Sequence, residues 1–211
     1  LFATAARQLN VLPQLDPYRA SPGRELAGGP LDVELPSPSP RPGARRLFVY
    51  LHHGVQHVEA LVRLLGQSCA GGDLYVRELA LEARARLEPG ALRVHDAPLA
   101  IAEAVRAADV VVHTGGVGVA QVTLACGRPQ LLFPHHLEQL INATGLARLG
   151  VARTISGAVT SDAVRAALEA LLHDPAIAHA SATVAADVAA QVREDPLVAV
   201  LAAVEACAAG A

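Results

Sequence analysis

The chain has 211 residues, 52% of them hydrophobic and 18% charged, a balance that builds a generous core and excludes a disordered polypeptide. A net charge of −3, a pI near 6.3 and no basic cluster beyond Arg41, Arg45 and Arg46 argue against a nucleic-acid surface. No apolar run reaches the ~20 residues of a membrane-spanning helix, and no signal peptide is legible at the N-terminus.

The chain starts at Leu1 rather than Met, and its first residues read as the tail of a domain whose main part lies upstream. Residues 13–46 carry Pro13, Pro17, Pro22, Pro30, Pro36, Pro38, Pro40 and Pro42 with glycines between them. Such a composition sustains neither a helix nor a central strand. Residues 1–45 are therefore expected to be the tail of a missing N-terminal domain plus a linker, and 46–211 one folded domain.

From there the pattern is regular. Residues 46–52 form a buried β-run, and 57–67 have helical spacing, with Val58, Leu61, Val62 and Leu65 on one face. A strand at 73–78 precedes a helix running up to Pro89. A third strand, 91–97, leads to a helix at 98–108 with Pro98 in its first turn. The strand at 109–113 is followed by a helix at 118–127, the strand at 129–134 by a helix at 137–150 that Gly150 stops. Residues 151–155 make a short sixth strand. Thr160 or Ser161 caps a helix through His173, ended by Pro175, and an alanine-rich helical region runs to the C-terminus. Alternation of this kind predicts an α/β fold, a Rossmann-like parallel sheet of about six strands with helices on both faces. Such sheets bind ligands at the carboxyl ends of the strands, where the strand order reverses. Cys69, Cys126 and Cys207 are odd in number, far apart and set among small apolar residues, which predicts reduced thiols of a cytoplasmic protein.

The stretch "VVVHTGGVGVAQV" carries the chemistry. Gly115 and Gly116 follow a strand and Gly118 opens a helix, whose first N–H groups are unpaired and sit at the positive end of its dipole. Phosphate binds at such a place, and glycine removes the Cβ that would block it. A Walker A loop is excluded because no lysine follows. The Rossmann fingerprint needs a third glycine where Gln121 stands. On spacing alone, a tight turn with close packing explains the glycines equally well.

The longer segment "HTGGVGVAQVTLACGRPQLLFPHHLEQLINATGLARLGV" resembles the donor-binding segment of GT-B fold nucleotide-sugar glycosyltransferases of the macrolide and plant secondary-product type. The intervals among Gly115-Gly116, Gly118, Gly127, Pro129, Pro134, Gln139, Asn142 and Gly150 fit that family's pattern without a gap. The likeness extends over residues 45–211, the C-terminal half of such enzymes. It implies that Thr114, Gly115, Gly116, Gly118 and Val119 hold the diphosphate of a UDP- or dTDP-sugar, as co-substrate rather than cofactor. Glu138 and Gln139 would bind sugar hydroxyls, and Ala97 would present backbone to the nucleobase.

The departures from the pattern bear on nucleotide affinity. Thr114 stands for a second His, Val119 for a Ser or Thr, Val122 for a Glu that grips ribose, Asp96 for a stacking Trp, and Glu138 for an Asp. Histidines gather around the same places. His52 and His53 end the first strand at the ligand-facing rim and His135 and His136 follow the fifth strand at the same rim, where imidazole can donate to phosphate or hydroxyl. Of these His53 and His135 are the donor-binding candidates, and His113 is either a further donor or a buried structural residue. His53 and His57 are four apart and would share one side of a helix, but spacing fixes no third ligand, so no metal is assigned. No catalytic set is legible. The resemblance places the base that deprotonates the acceptor in the absent N-terminal acceptor domain.

The expected function is the donor half of an inverting hexosyltransferase that moves a sugar to a small-molecule or lipid hydroxyl, with this chain inactive alone. A non-catalytic sugar-nucleotide-binding or partner-regulating homologue and a GT-B fold sugar-nucleotide epimerase stay open as alternatives.

Overall fold

Six runs become the strands of one sheet: β1 (Arg46–His52), β2 (Gly71–Arg77), β3 (Leu92–Val94), β4 (Val110–His113), β5 (Gln130–Leu132) and β6 (Ala152–Thr154). The computed structural model describes residues 11–17 and 35–191, and helical positions Val198, Leu201, Ala202, Val204, Glu205 and Ala208. The expectations for Pro22, Pro30, Cys207 and much of the last helical region lie outside the described residues. Every neighbouring pair of strands is parallel, in the order β3-β2-β1-β4-β5-β6. The central strands read as unbroken apolar runs because helices cover them on both faces; Val110, Val111 and Val112 are fully buried.

The helices are α1 (Val58–Gln67), α2 (Leu81–Ala85), α3 (Ile101–Arg106), α4 (Val117–Cys126), α5 (Leu137–Arg148), α6 (Ser161–His173) and α7 (Pro175–Gln191). On one face, Leu47, Val49 and Leu51 of β1 pack with Leu61, Val62 and Leu65 of α1 and Val164 and Leu168 of α6. On the other, Phe48 and Val111 meet Val105 of α3 and Val119, Val122 and Cys126 of α4. A third cluster joins Ala120 and Leu124 of α4 to Ala143 and Leu146 of α5 and Val184 and Val188 of α7. Helix α4 thus lies between the sheet and three other helices, α3, α5 and α7, which explains why it has no polar stripe.

The differences from the sequence expectations have local causes. Strand β2 begins at Gly71, earlier than expected, because pairing of Gly71 with Arg46 overrides the turn preference of a glycine pair. Helix α2 is only five residues long and buries none of them; Leu81 is 75% exposed. Strand β3, at the sheet edge with one partner, keeps three of its expected residues. Pro175 opens α7 rather than closing α6: Asp174 breaks the chain in an extended conformation, and its carboxylate accepts the N–H of Ala176. Thr160 is the cap of α6, its hydroxyl accepting from Ala163 N–H.

The proline-rich 35–45 has no regular secondary structure, yet it is fastened. Arg128, 1% exposed, donates to the Ser39 carbonyl (2.6 Å) and hydroxyl (2.9 Å), to the Pro40 carbonyl (2.9 Å) and to the carbonyls of Arg106 and Cys126 (both 3.0 Å). Asp109, also 1% exposed, accepts the backbone N–H groups of Gly43 (2.6 Å) and Arg46 (2.9 Å). Upstream, Leu12 and Leu15 are buried against α5, and Gln121 of α4 accepts the Leu12 N–H at 2.7 Å. Among the described residues no helix is long and apolar enough to cross a membrane.

Candidate functional site

The strand order runs outward from β1 in one direction and from β4 in the other. The carboxyl ends of these two adjacent strands therefore border the crevice where such sheets take ligands. Tyr50 of β1 pairs with His113, the last residue of β4, so His52 at the end of β1 and the loop that begins at Thr114 lie at the same edge of the sheet. His52 also shares a strand face with Phe48 and Tyr50, the face that α4 covers.

Gly116 is the N-cap of α4, and the first bond of the helix is Ala120 N–H to Gly116 O. The N–H groups of Val117, Gly118 and Val119 therefore have no carbonyl of their own helix in reach, and they point out of its positive end. The glycines divide the labour. Gly115 has φ +96°, and a Cβ there would lie 2.9 Å from the Gln139 carbonyl oxygen, so it is required by the fold. Gly116 has an ordinary φ of −62°, and a Cβ there would meet nothing within 4 Å. Packing does not demand a glycine at 116; the open space in front of it lies at the helix N-terminus.

A hydrogen-bond lattice holds this loop. Gly115 N–H donates to His113 Nδ1 (3.1 Å), so the proton of the neutral ring is on Nε2, which donates to Gln130 Oε1 (2.8 Å). Asn142 Nδ2 donates to Gly115 O (2.9 Å), and Gln139 Nε2 to Thr114 Oγ1 (3.1 Å). The other end of Gln139, Oε1, accepts His135 N–H (3.1 Å). Helix α5 thereby ties the loop after β4 to the loop after β5. Burial holds the His113 pKa down at about 4, with Gln130 opposing only weakly, so the ring stays neutral.

This lattice sorts the residues singled out in the sequence. Gly116 and Gly118 are partly exposed at the helix end. His113, 1% exposed with both ring nitrogens engaged, orients the loop and has no nitrogen left for a ligand. Thr114, Gln139 and Val119 are 8%, 7% and 7% exposed, so their side chains face the lattice or the core, and Val119 offers its backbone N–H. Val122 is fully buried against the sheet. That position faces the core and not the crevice, so the Val122 side chain makes no contact with a ligand. Glu138 lies exposed in the first turn of α5. Ala97 is exposed past β3, at the sheet edge two strands from β1, and its neighbour Asp96 pairs with Arg84 at 2.8 Å.

The histidines meet where no sequence spacing placed them. His57 is the left-handed N-cap of α1, so it shares no helical face with His53. Instead His52, His53 and Glu78 gather their ligand-type atoms within 4.8 Å. His52 Nδ1 accepts the Gly54 N–H (3.0 Å), which fixes the proton on Nε2, the atom facing Glu78 at 3.2 Å. A ring in that tautomer presents no lone pair toward Glu78, which disfavours a metal there. The His52 ring stacks on His135 at 5.4 Å and 17°, joining the loops after β1 and β5.

Arg128, Asp109 and Asn142 carried no motif signal; burial alone marks the first two, and the resemblance pattern had included Asn142 without assigning it a partner.

The family described as erythromycin biosynthesis protein CIII-like, C-terminal domain, matches residues 77–204. No curated protein matches the sequence. The fold is similar to that of the calicheamicin glycosyltransferase CalG4, at a TM-score of 0.70 and 21% identity over 95% of this chain and 51% of that one. The glycotransferase of kitacinnamycin is similar at a TM-score of 0.66 and 24% identity, over 87% of this chain and 51% of that one. Glycosyltransferase VinC, solved in complex with dTDP, is similar at 0.55 and 22%, over 77% and 42%. The chain spans about half the length of these structures. It belongs to the erythromycin biosynthesis protein CIII-like C-terminal domain family, built on the C-terminal half of the GT-B glycosyltransferase fold.

Proposed function

We propose that the chain is the donor-binding domain of an inverting glycosyltransferase that takes its sugar from a nucleoside-diphosphate sugar. The observation that carries this reading is the open N-terminus of α4 at the switch point, with Gly116 in front of it for no packing reason. The diphosphate sits against the N–H groups of Gly116 to Val119, Glu138 takes a sugar hydroxyl, and the backbone near Ala97 meets the base. In the complete enzyme a base on an N-terminal acceptor domain removes the acceptor proton, and the hydroxyl attacks the anomeric carbon. The end of α4 then stabilises charge gathering on the departing diphosphate.

The dTDP held by VinC favours a dTDP-sugar over a UDP-sugar. Neighbours named for calicheamicin and kitacinnamycin favour a small-molecule acceptor over a lipid. The free thiols of Cys69 and Cys126 fit a cytoplasmic setting. Val119, which brings no hydroxyl to the cradle, supports the second reading of a sugar-nucleotide-binding homologue without catalysis. Calorimetric titration with dTDP, UDP and GDP tests the donor site: saturable binding, strongest for dTDP, is expected. Absence of heat for all three at millimolar concentration overturns it.

A further inference from the structure

The end of β1 and the loops after β1 and β5 bring four imidazoles into one row, linked to the cradle through Gln139. Ring centroids are 4.3 Å apart for His53 and His52, 5.4 Å for His52 and His135, and 5.0 Å for His135 and His136. His52 has both ring nitrogens engaged, Nδ1 by the Gly54 N–H and Nε2 by Glu78. The rings of His135 and His136 are exposed, and neither makes a hydrogen bond among the described residues. His135 is nonetheless fixed in place, its backbone N–H held by Gln139, the residue whose other end grips Thr114 of the cradle.

Resting on the donor-site reading above, we propose that this imidazole row is the second wall of the anion site: His135, flanked by His53 and His136, takes up a proton from solvent when a diphosphate binds. It thereby supplies a cationic donor beside a cradle that has no side-chain hydroxyl at Val119. Four imidazoles in contact cannot all be charged without facing one another as like charges. Partial burial and then the nearby His136, His52 and His53 hold the pKa of His135 below its ordinary value, so the ring is neutral near neutral pH. An arriving diphosphate reverses the balance by putting negative charge beside it.

The groups that face the row are few. From β1 come His52 and His53. Beyond the end of β2 stands Glu78, itself bridged to Arg77 at 3.0 Å. From α5 come His136 and the exposed Glu138, and His57 lies at the start of α1. Glu78 is 3.2 Å from His52 and 3.9 Å from His53, so its charge is spent at the far end of the row from His136.

The test is calorimetry of dTDP and of inorganic pyrophosphate at pH 7.5, in buffers of different ionisation enthalpy, with and without EDTA. The wild-type chain is expected to take up about half to one proton more per ligand than His135→Asn, a difference that cancels the ligand's own titration. The variant is expected to bind about tenfold more weakly at an unchanged melting temperature. A second readout needs no variant: the imidazole Cε1–H resonance of His135 should move toward the imidazolium position as dTDP is added. If dTDP binds with equal proton uptake in both proteins and a still resonance, the imidazole row is overturned while the donor site stands. Loss of binding in EDTA overturns it in favour of a metal bridge, and failure of the wild type to bind either ligand removes both readings.

Discussion

Gly115 and His113 act as one unit at the residue scale. The left-handed glycine lets its N–H turn back onto the ring, and the ring, closed off from water, holds the turn. Gly115→Ala puts a methyl 2.9 Å from a backbone oxygen at a strained φ, and is expected to cost about 1–3 kcal/mol in urea denaturation. The His113 pKa gives a pH signature. Its folded value of about 4 lies below the 6.5 of an unfolded histidine, so the unfolded chain binds the proton first as pH falls. Stability should drop by about 3 kcal/mol between pH 6.5 and 4 and level off below. Denaturation midpoints across that range check it; His113→Gln should remove the His113 part of the slope. Sequence alone left His113 open between donor and core residue, because only the fold shows that Gly115 and Gln130 occupy both nitrogens.

The elements that matter most are α4 and the strands flanking its start. An apolar decamer with no polar stripe is ambiguous in a sequence, but the sheet, α3, α5 and α7 surround it while its N-terminus stays partly exposed. The strand-helix alternation, the sixth strand and a cap at Thr160 or Ser161 were legible because periodicity and capping are local; the structure selects Thr160. The short α2 and the three-residue β3 were not, since nothing local says that a segment lacks a partner to pack on. Nor was the fastening of 35–45 legible: proline content marks a linker and is silent on what holds it. Arg128→Ala removes a buried donor from five oxygens, and should cost on the order of 3 kcal/mol. Faster cleavage within 35–45 in limited proteolysis, alongside a lower melting temperature, is the expected result.

For the whole molecule, the 3-2-1-4-5-6 order converts a motif into a site. Glycines after a fourth strand look misplaced against a fingerprint that follows the first. In this sheet the fourth strand is the neighbour of the first, so the loop opens on the switch point all the same. Neither that adjacency nor the meeting of His52 with His135 could come from spacing; both follow from parallel pairing across 60 or more residues of chain. The same geometry assigns the conversation between loops to α5, through Gln139 and Asn142.

The space before Gly116 is proposed to receive a diphosphate. Calorimetric titration of dTDP into the wild-type chain and into Gly116→Ala tests it most directly, because a Cβ there meets no protein atom within 4 Å. Saturable binding to the wild type, about tenfold weaker binding to the variant and the same melting temperature for both are expected. Equal affinities, or no binding by the wild type at millimolar dTDP, would contradict it.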